Sequence, residues 1–169
     1  METARDAQPE GAIGPRLCAT SYAFREYAVS HPAEFRLLFT TPPGGLGQAQ
    51  PDRTAEASSR FGNVFAEQFR DVWLRRPFPV PADDELAPGL VQELEPYYSW
   101  LSESFADLPR GALVRFVLAW VRLYGLVSME VFGQLAWAVH DAEPLLVQLL
   151  MEIGAEWELE DAHLPVVKV

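Results

Sequence analysis

The stretch from Pro109 to Gly133, PRGALVRFVLAWVRLYGLVSMEVFG, constrains the fold of this chain more than any other. Read at helical period, Leu113, Phe116, Val117, Trp120, Tyr124, Val127 and Val131 share one apolar face of an amphipathic helix. Arg115 and Arg122, seven residues apart, centre a narrow wet stripe, and beyond it Val114, Val121, Gly125 and Phe132 form a second apolar face. A helix apolar around most of its circumference is either a central core helix or a core helix that also meets a partner. Arg115, Arg122 and Glu130 interrupt the run, and charges inside a bilayer are costly, so the stretch does not read as a membrane span.

The flanking segments supply the helices that such a core helix needs. A helix is expected from Pro15, with Leu17, Ser21, Phe24 and Ala28 on one face, ending at His31-Pro32 because the residue before proline avoids helical backbone. Pro32 suits the first turn of a second helix running to Phe39. TTPPGGLGQAQPD is a loop by composition, and Asp52 can cap a third helix from about Arg53 to Arg75, whose inward face is Phe61, Phe65, Phe69, Val72 and Trp73. Alternating prolines make RPFPVPADDE extended. A fourth helix is expected from Pro88 to about Phe105, kinked or broken at Pro96. After QLAWAVHD, Asp141 caps a final helix from Glu143 to about Glu158. No segment alternates long enough to be a strand. The expectation is an all-α bundle: a polar segment 1–14 that frays, one helical domain over 15–158, and a tail over 159–169.

Charge narrows the function. The 169 residues carry a net charge of −11 and Lys168 is the single lysine, so the chain lacks the basic clusters that grip a phosphate backbone. Cys18 is the single cysteine, which rules out an internal disulfide, and METARDAQPEG has no apolar targeting core. A cytoplasmic protein without membrane contact is expected. His31, His140 and His163 are scattered without metal-ligand spacing, and GGLG at Gly44–Gly47 is too short for a dinucleotide fingerprint. Cys18 has no activating base in view, and DDE at Asp83–Glu85 suits a helix start. No catalytic constellation, metal site or cofactor is expected, and the chain does not read as an enzyme.

Two surfaces remain. Phe24, Phe65, Phe69, Trp73, Trp100, Phe116, Trp120 and Tyr124 come from inward faces of four helices and form a candidate aromatic ligand pocket, in which indole N–H and phenol O–H groups seek partners. The final helix carries Leu146, Leu149, Leu150, Ile153 and Trp157 on one face, extended by Val147, Met151 and Gly154, with Gln148, Glu152 and Glu156 as its wet line. That apolar arc exceeds what a monomeric bundle needs. A homodimer is therefore expected, built as a four-helix bundle from Val114, Val121, Gly125 and Phe132 of the central helix and Leu146, Val147, Leu150, Met151 and Gly154 of the last.

The ordered series YAFREYAVSHPAEFRLLF, FGNVFAEQFRDVW, RRPFPVP, FVLAWVRLYGLVSMEVFG and DAEPLLVQLL resembles the C-terminal domain of TetR-family transcriptional regulators, over about Arg16 to Trp157. The branch it resembles carries a Trp-x-x-x-His-Gly signature, here Trp120 to Tyr124-Gly125, with tyrosine in place of histidine. The resemblance implies a helical domain that binds a small apolar or aromatic effector, dimerises through its last two long helices, and controls operator binding by an N-terminal helix-turn-helix domain that this chain does not contain. DNA would then be contacted only through that domain, in a longer repressor. The alternatives are a stand-alone small-molecule-binding dimer, a partner that heterodimerises with a full-length regulator and, from another class, a small helical enzyme.

Overall fold

The computed structural model describes residues 1–40, 53–100 and 108–159, with side chains for 1–37, 62–96 and 108–159. Among these residues there are helices and no strand: α1 (Glu2–Asp6), α2 (Ile13–Ser30), α3 (Pro32–Thr40), α4 (Arg53–Arg75), a 3₁₀ turn (Asp83–Glu85), α5 (Leu90–Trp100), α6 (Arg110–Val131) and α7 (Glu143–Glu156). The all-α expectation holds. The loop before Asp52, the Asp52 cap, and the end of the fourth helix toward Phe105 lie outside the described residues.

Local chemistry sets most boundaries. α2 begins two residues before Pro15, which still falls in the first turn, where a missing N–H removes no helical bond. It stops at His31, and Pro32 opens α3. α5 runs through Pro96, where a kink or break was expected. α6 ends in a Schellman motif: Gly133 takes φ +70°, its N–H donates to Glu130 O at 2.9 Å, and the Gln134 N–H donates to Met129 O at 2.7 Å. At the start of α7, Asp141 acts one position outside the cap residue Ala142, its carboxylate accepting from the Glu143 N–H at 2.9 Å.

The bundle has two organising helices rather than one. α2 packs against α1, α3, α4 and α6, and α6 packs against α2 and α7. Phe24, Phe35, Phe69, Leu113 and Leu146 are essentially sealed from solvent between them, each worth about 1.5–3 kcal/mol relative to exposure. Thr20 Oγ1 lies 2.9 Å from Arg16 O and 3.1 Å from Gln68 Oε1, and Gln68 Nε2 donates to Val64 O at 3.0 Å, so the buried polar seam between α2 and α4 is satisfied.

The expected wet stripe of α6 is a clamp. Arg122 donates to both Glu156 oxygens at 2.8 Å and Arg115 lies 3.7 Å from the same carboxylate, tying α6 to α7. At the other end of α6, Arg25 of α2 donates to Glu130 at 2.8 and 2.6 Å and to Asp141 at 3.0 Å. The face of α6 that is wet in the structure holds Leu118, Val121, Met129 and Phe132. α6 is long and apolar enough by composition to cross a membrane, but its Arg115, Arg122 and Glu130 are paired to other helices of the bundle.

The segment 1–14, marked by composition as fraying, holds α1, packed on α2. Arg5 reaches Glu67 at 3.3 Å and Arg16 reaches Asp6 at 3.2 Å, pairings between positions that composition does not connect.

Candidate functional site

The site is a partly open seam where α2, α4, α6 and α7 meet. It contains a cavity of about 20 Å³ lined by Leu17 and Ser21 of α2, Phe65 of α4, Phe116, Ala119, Trp120 and Leu123 of α6, and Leu150, Ile153 and Trp157 of and just beyond α7. α6 supplies a lining residue about once per turn because positions 116, 119 or 120, and 123 fall on one face. The small side chain of Ala119 lies between the larger ones.

Two sets of rings meet at this seam. On one side Trp120 stacks on Phe24 at 6.0 Å and on Tyr124 at 5.9 Å, and lies 5.3 Å from Phe65. On the other, Phe69 lies 5.2 Å from Phe116 and meets Trp157 edge-on at 4.9 Å. Phe78 stacks on Trp157 at 5.8 Å and Trp73 meets Phe78 edge-on at 5.3 Å. Phe78 belongs to the extended strap between α4 and the 3₁₀ turn. The strap crosses α6 at Gly111, where an added Cβ would stand 2.1 Å from Pro81 O, so only glycine admits it there.

Of the residues expected to bind a ligand, Phe65, Phe116 and Trp120 line the cavity. Phe24 and Phe69 are buried behind them, and Tyr124 and Trp73 are half-buried on the flanks. The Trp100 side chain lies outside the described residues. The sequence reading missed Leu17, Ser21, Ala119, Leu123, Ile153 and Trp157 as lining, and Phe78 as support. Leu17 and Ser21 share a face with Phe24, which was the available signal; nothing local marks Phe78.

The expected pairing face also needs correction. Val114, Leu146, Leu150 and Gly154 are buried within the chain, Leu150 in the cavity wall itself, so they are closed to a second copy. Helical period separates faces but does not say which one the rest of the chain covers. Gly125 and Val147 are half-buried, and Val121, Phe132 and Met151 are exposed. Leu118 and Met129 join them on the outer face, although neither was expected there.

The lining is uncharged. Ser21 Oγ donates to Leu17 O at 2.9 Å. Burial pushes the nearby Cys18 thiol up to about 11, so it stays protonated and unreactive near neutrality. Among the described residues no cluster of His, Cys, Asp or Glu is arranged to hold a metal ion. Trp157 Nε1 is buried and has no acceptor, an arrangement that costs about 1–3 kcal/mol if it stays unmet. The chemistry on offer is binding of an apolar body.

A family model described as "Tetracyclin repressor-like, C-terminal domain" matches residues 17–153. The HTH-type transcriptional regulator Rv1816 of Mycobacterium tuberculosis (strain ATCC 25618 / H37Rv) and the HTH-type transcriptional regulator Mb1846 of Mycobacterium bovis are each 28% identical to the chain over 141 residues. Each match covers 79% of this chain and 55% of the relative, so the chain spans about half the length of these regulators. No solved structure matches it.

Proposed function

The chain belongs to the tetracyclin repressor-like C-terminal domain family, and from that premise we propose that it is the ligand-sensing and dimerisation portion of a cytoplasmic transcriptional regulator. The observation that carries this reading is the position of α6. One face walls the aromatic cavity through Phe116, Trp120 and Leu123, and the opposite face leaves Leu118, Val121, Met129 and Phe132 in water.

Those outer residues, with Gly125 of α6 and Val147 and Met151 of α7, form the pairing surface of a homodimer with two-fold symmetry. The cavity takes a small apolar or aromatic effector. A ligand that parts the rings around Trp120 displaces α6 or α7, and the same helices carry the pairing surface, so occupancy is coupled to dimer geometry. The coupling is as large as the ligand's preference for one geometry over the other. DNA is contacted by a helix-turn-helix segment in the part of the relatives that this chain does not match. The acidic charge of the chain supports that division, since phosphate affinity depends on clustered basic residues.

Sedimentation tests the core of this reading. The unmodified chain is expected to be a dimer at micromolar concentration, and Val121→Glu a folded monomer, because a charge buried without a partner costs more than the contact it replaces. A well-folded monomer of the unmodified chain would overturn it.

A further inference from the structure

The exposed apolar side chains along the outer line of α6 have a symmetry that helical period does not require. Leu118 and Val121 stand seven and four residues before Gly125, and Met129 and Phe132 stand four and seven after it. At Gly125 itself an added Cβ would meet nothing within 4 Å. Laid antiparallel on a copy of itself about a two-fold axis at Gly125, this line sets Leu118 on the partner's Phe132 and Val121 on the partner's Met129. Each contact then occurs twice, as a self-complementary interface demands. None of these positions holds an acid, which matters when a chain of net charge −11 meets its own copy.

α7 has its outer residues at the same level. Arg122 and Glu156 tie the two helices at one end, and Arg25, between Glu130 and Glu143, ties them at the other. Midway between these ties, exposed Met151 and half-buried Val147 stand two positions either side of residue 149. The axis that crosses α6 at Gly125 therefore also brings Met151 onto the partner's Val147.

The line ends against α5. One turn before Leu118, Val114 lies on the same line yet is only 5% exposed, because Val91 and Leu94 of α5 close over it in a small cleft rimmed by Glu95 and Arg110. Val91 and Leu94 are themselves half-buried. An antiparallel partner brings the end of its own α6, and the connection to α7, up to this shoulder. That connection carries Trp137, at 84% the most exposed large hydrophobic side chain among the described residues. Its turn is fixed: the Ala138 and Val139 N–H groups donate to Leu135 O at 2.9 and 3.0 Å, and Leu135 and Val139 are half-buried on either side. An indole held outward by ordered backbone is the kind of side chain that dominates interfaces. The step from Leu118 to Val114 is about 6 Å along a helix, and the five residues from Phe132 to Trp137 can span it.

Resting on the pairing reading above, we infer that two copies meet antiparallel along α6 with the axis at Gly125, and that Trp137 of each copy docks on Val91 and Leu94 of the other.

Two measurements test this. The first reads the register with a thiol crosslinker whose reach matches the roughly 8–10 Å between packed helices; Cys18 is buried and does not compete. Leu118→Cys and Phe132→Cys are each expected to stay uncrosslinked alone, since like positions lie about 21 Å apart along the helix, and to crosslink to one another when mixed. The second reads the dissociation constant by sedimentation. Trp137→Ala is expected to weaken the dimer at least about tenfold, while leaving the thermal midpoint of the Val121→Glu monomer unchanged. Leu94→Glu should weaken the dimer similarly, and the two changes together little more than either; should Leu94→Glu fail to fold, Trp137→Ala decides alone. Crosslinking of Leu118→Cys to itself, failure of the mixed pair to crosslink, or a dissociation constant unmoved by Trp137→Ala overturns the inference and leaves a dimer of another geometry. A well-folded monomer of the unmodified chain overturns the pairing reading, and the inference with it.

Discussion

The two faces of α6 are nearly matched in apolar content and opposite in fate. Phe116, Ala119, Leu123 and Val127 are all 5% exposed or less, whereas Leu118 is 50% and Val121 56% exposed. Hydrophobicity does not separate them, since leucine and valine stand on both. What differs is the element opposite: α2, α4 and α7 close over one face, whereas the other is covered only at its end, where Arg36 of α3 lies over the Phe132 ring at 5.5 Å. An apolar side chain contributes stability only where something excludes water from it, so identical residues on the two faces should have very different energetic weights.

The largest expected effect follows directly. Leu123→Ala, which removes a side chain from the cavity wall, should cost about 2–5 kcal/mol, lowering the thermal midpoint by roughly 4–20 °C for a chain of this size. Leu118→Ala, the same chemical change on the outer face, should stay within about 0.5 kcal/mol. Both are best measured by thermal unfolding in the Val121→Glu background, where a dimer contact does not contribute. Comparable losses at the two positions would mean that the outer face is covered within a single chain.

The same contrast explains what the sequence made legible. Periodicity located α2, α4, α6 and α7, and proline, glycine and Asp141 marked their ends, because these signals act within a few residues. The inward aromatic set was legible for Phe65, Phe116 and Trp120, whose helical faces are unambiguous. Val114 was not, since it sits on a second apolar face and only the packing of α5 decides between core and surface; nor were Leu146 and Leu150, which share the first apolar face of α7 with Ile153 and Trp157 and were expected to meet a partner. Arg115 and Arg122 look like solvated charges until Glu156, 34 residues beyond Arg122, is brought to them. Phe78 lies between two prolines that declare extended backbone and say nothing of where the ring goes. Helix-local information survives in the sequence; pairings across the bundle do not.

A smaller effect is expected where the inner face meets the strap. Alanine is the better helix former, and at an open position Gly→Ala in α6 would stabilise it. At Gly111 the added methyl would stand 2.1 Å from Pro81 O, against backbone that cannot swing aside as a side chain would. Gly111→Ala should therefore destabilise by about 1–3 kcal/mol and lift the strap, loosening Phe78 from Trp157. The expected signature is a loss of near-ultraviolet circular dichroism with helical content unchanged. Gly125→Ala is the control: nothing lies within 4 Å of its added Cβ, and it should leave the aromatic signal alone.

The smallest expected effect belongs to the clamp between the two faces, and its pH dependence distinguishes it from packing. The Arg122 guanidinium, hydrogen-bonded to Glu156, holds that carboxyl below its ordinary value of 4.5 against the opposing effect of burial, with Arg122 and Arg115 adding charge attraction. A carboxylate whose value is lowered on folding binds fewer protons folded than unfolded, so its contribution is present above 4.5 and disappears as pH falls through the lower folded value. Arg122 stays charged throughout, because the same pairing raises its own value. With the Glu156 side chain 31% exposed, water screens the pair, and Glu156→Gln should cost only about 0.5–1 kcal/mol near neutrality. That corresponds to about 1–4 °C in thermal midpoint. The difference between Glu156→Gln and the unmodified chain should shrink steadily below pH 4.5 and vanish once Glu156 is protonated in both states, while the Leu123→Ala deficit persists at every pH. A Glu156→Gln deficit that does not shrink with acid would mean that this side chain holds α7 against α6 by its shape and neutral hydrogen bonds rather than by its charge.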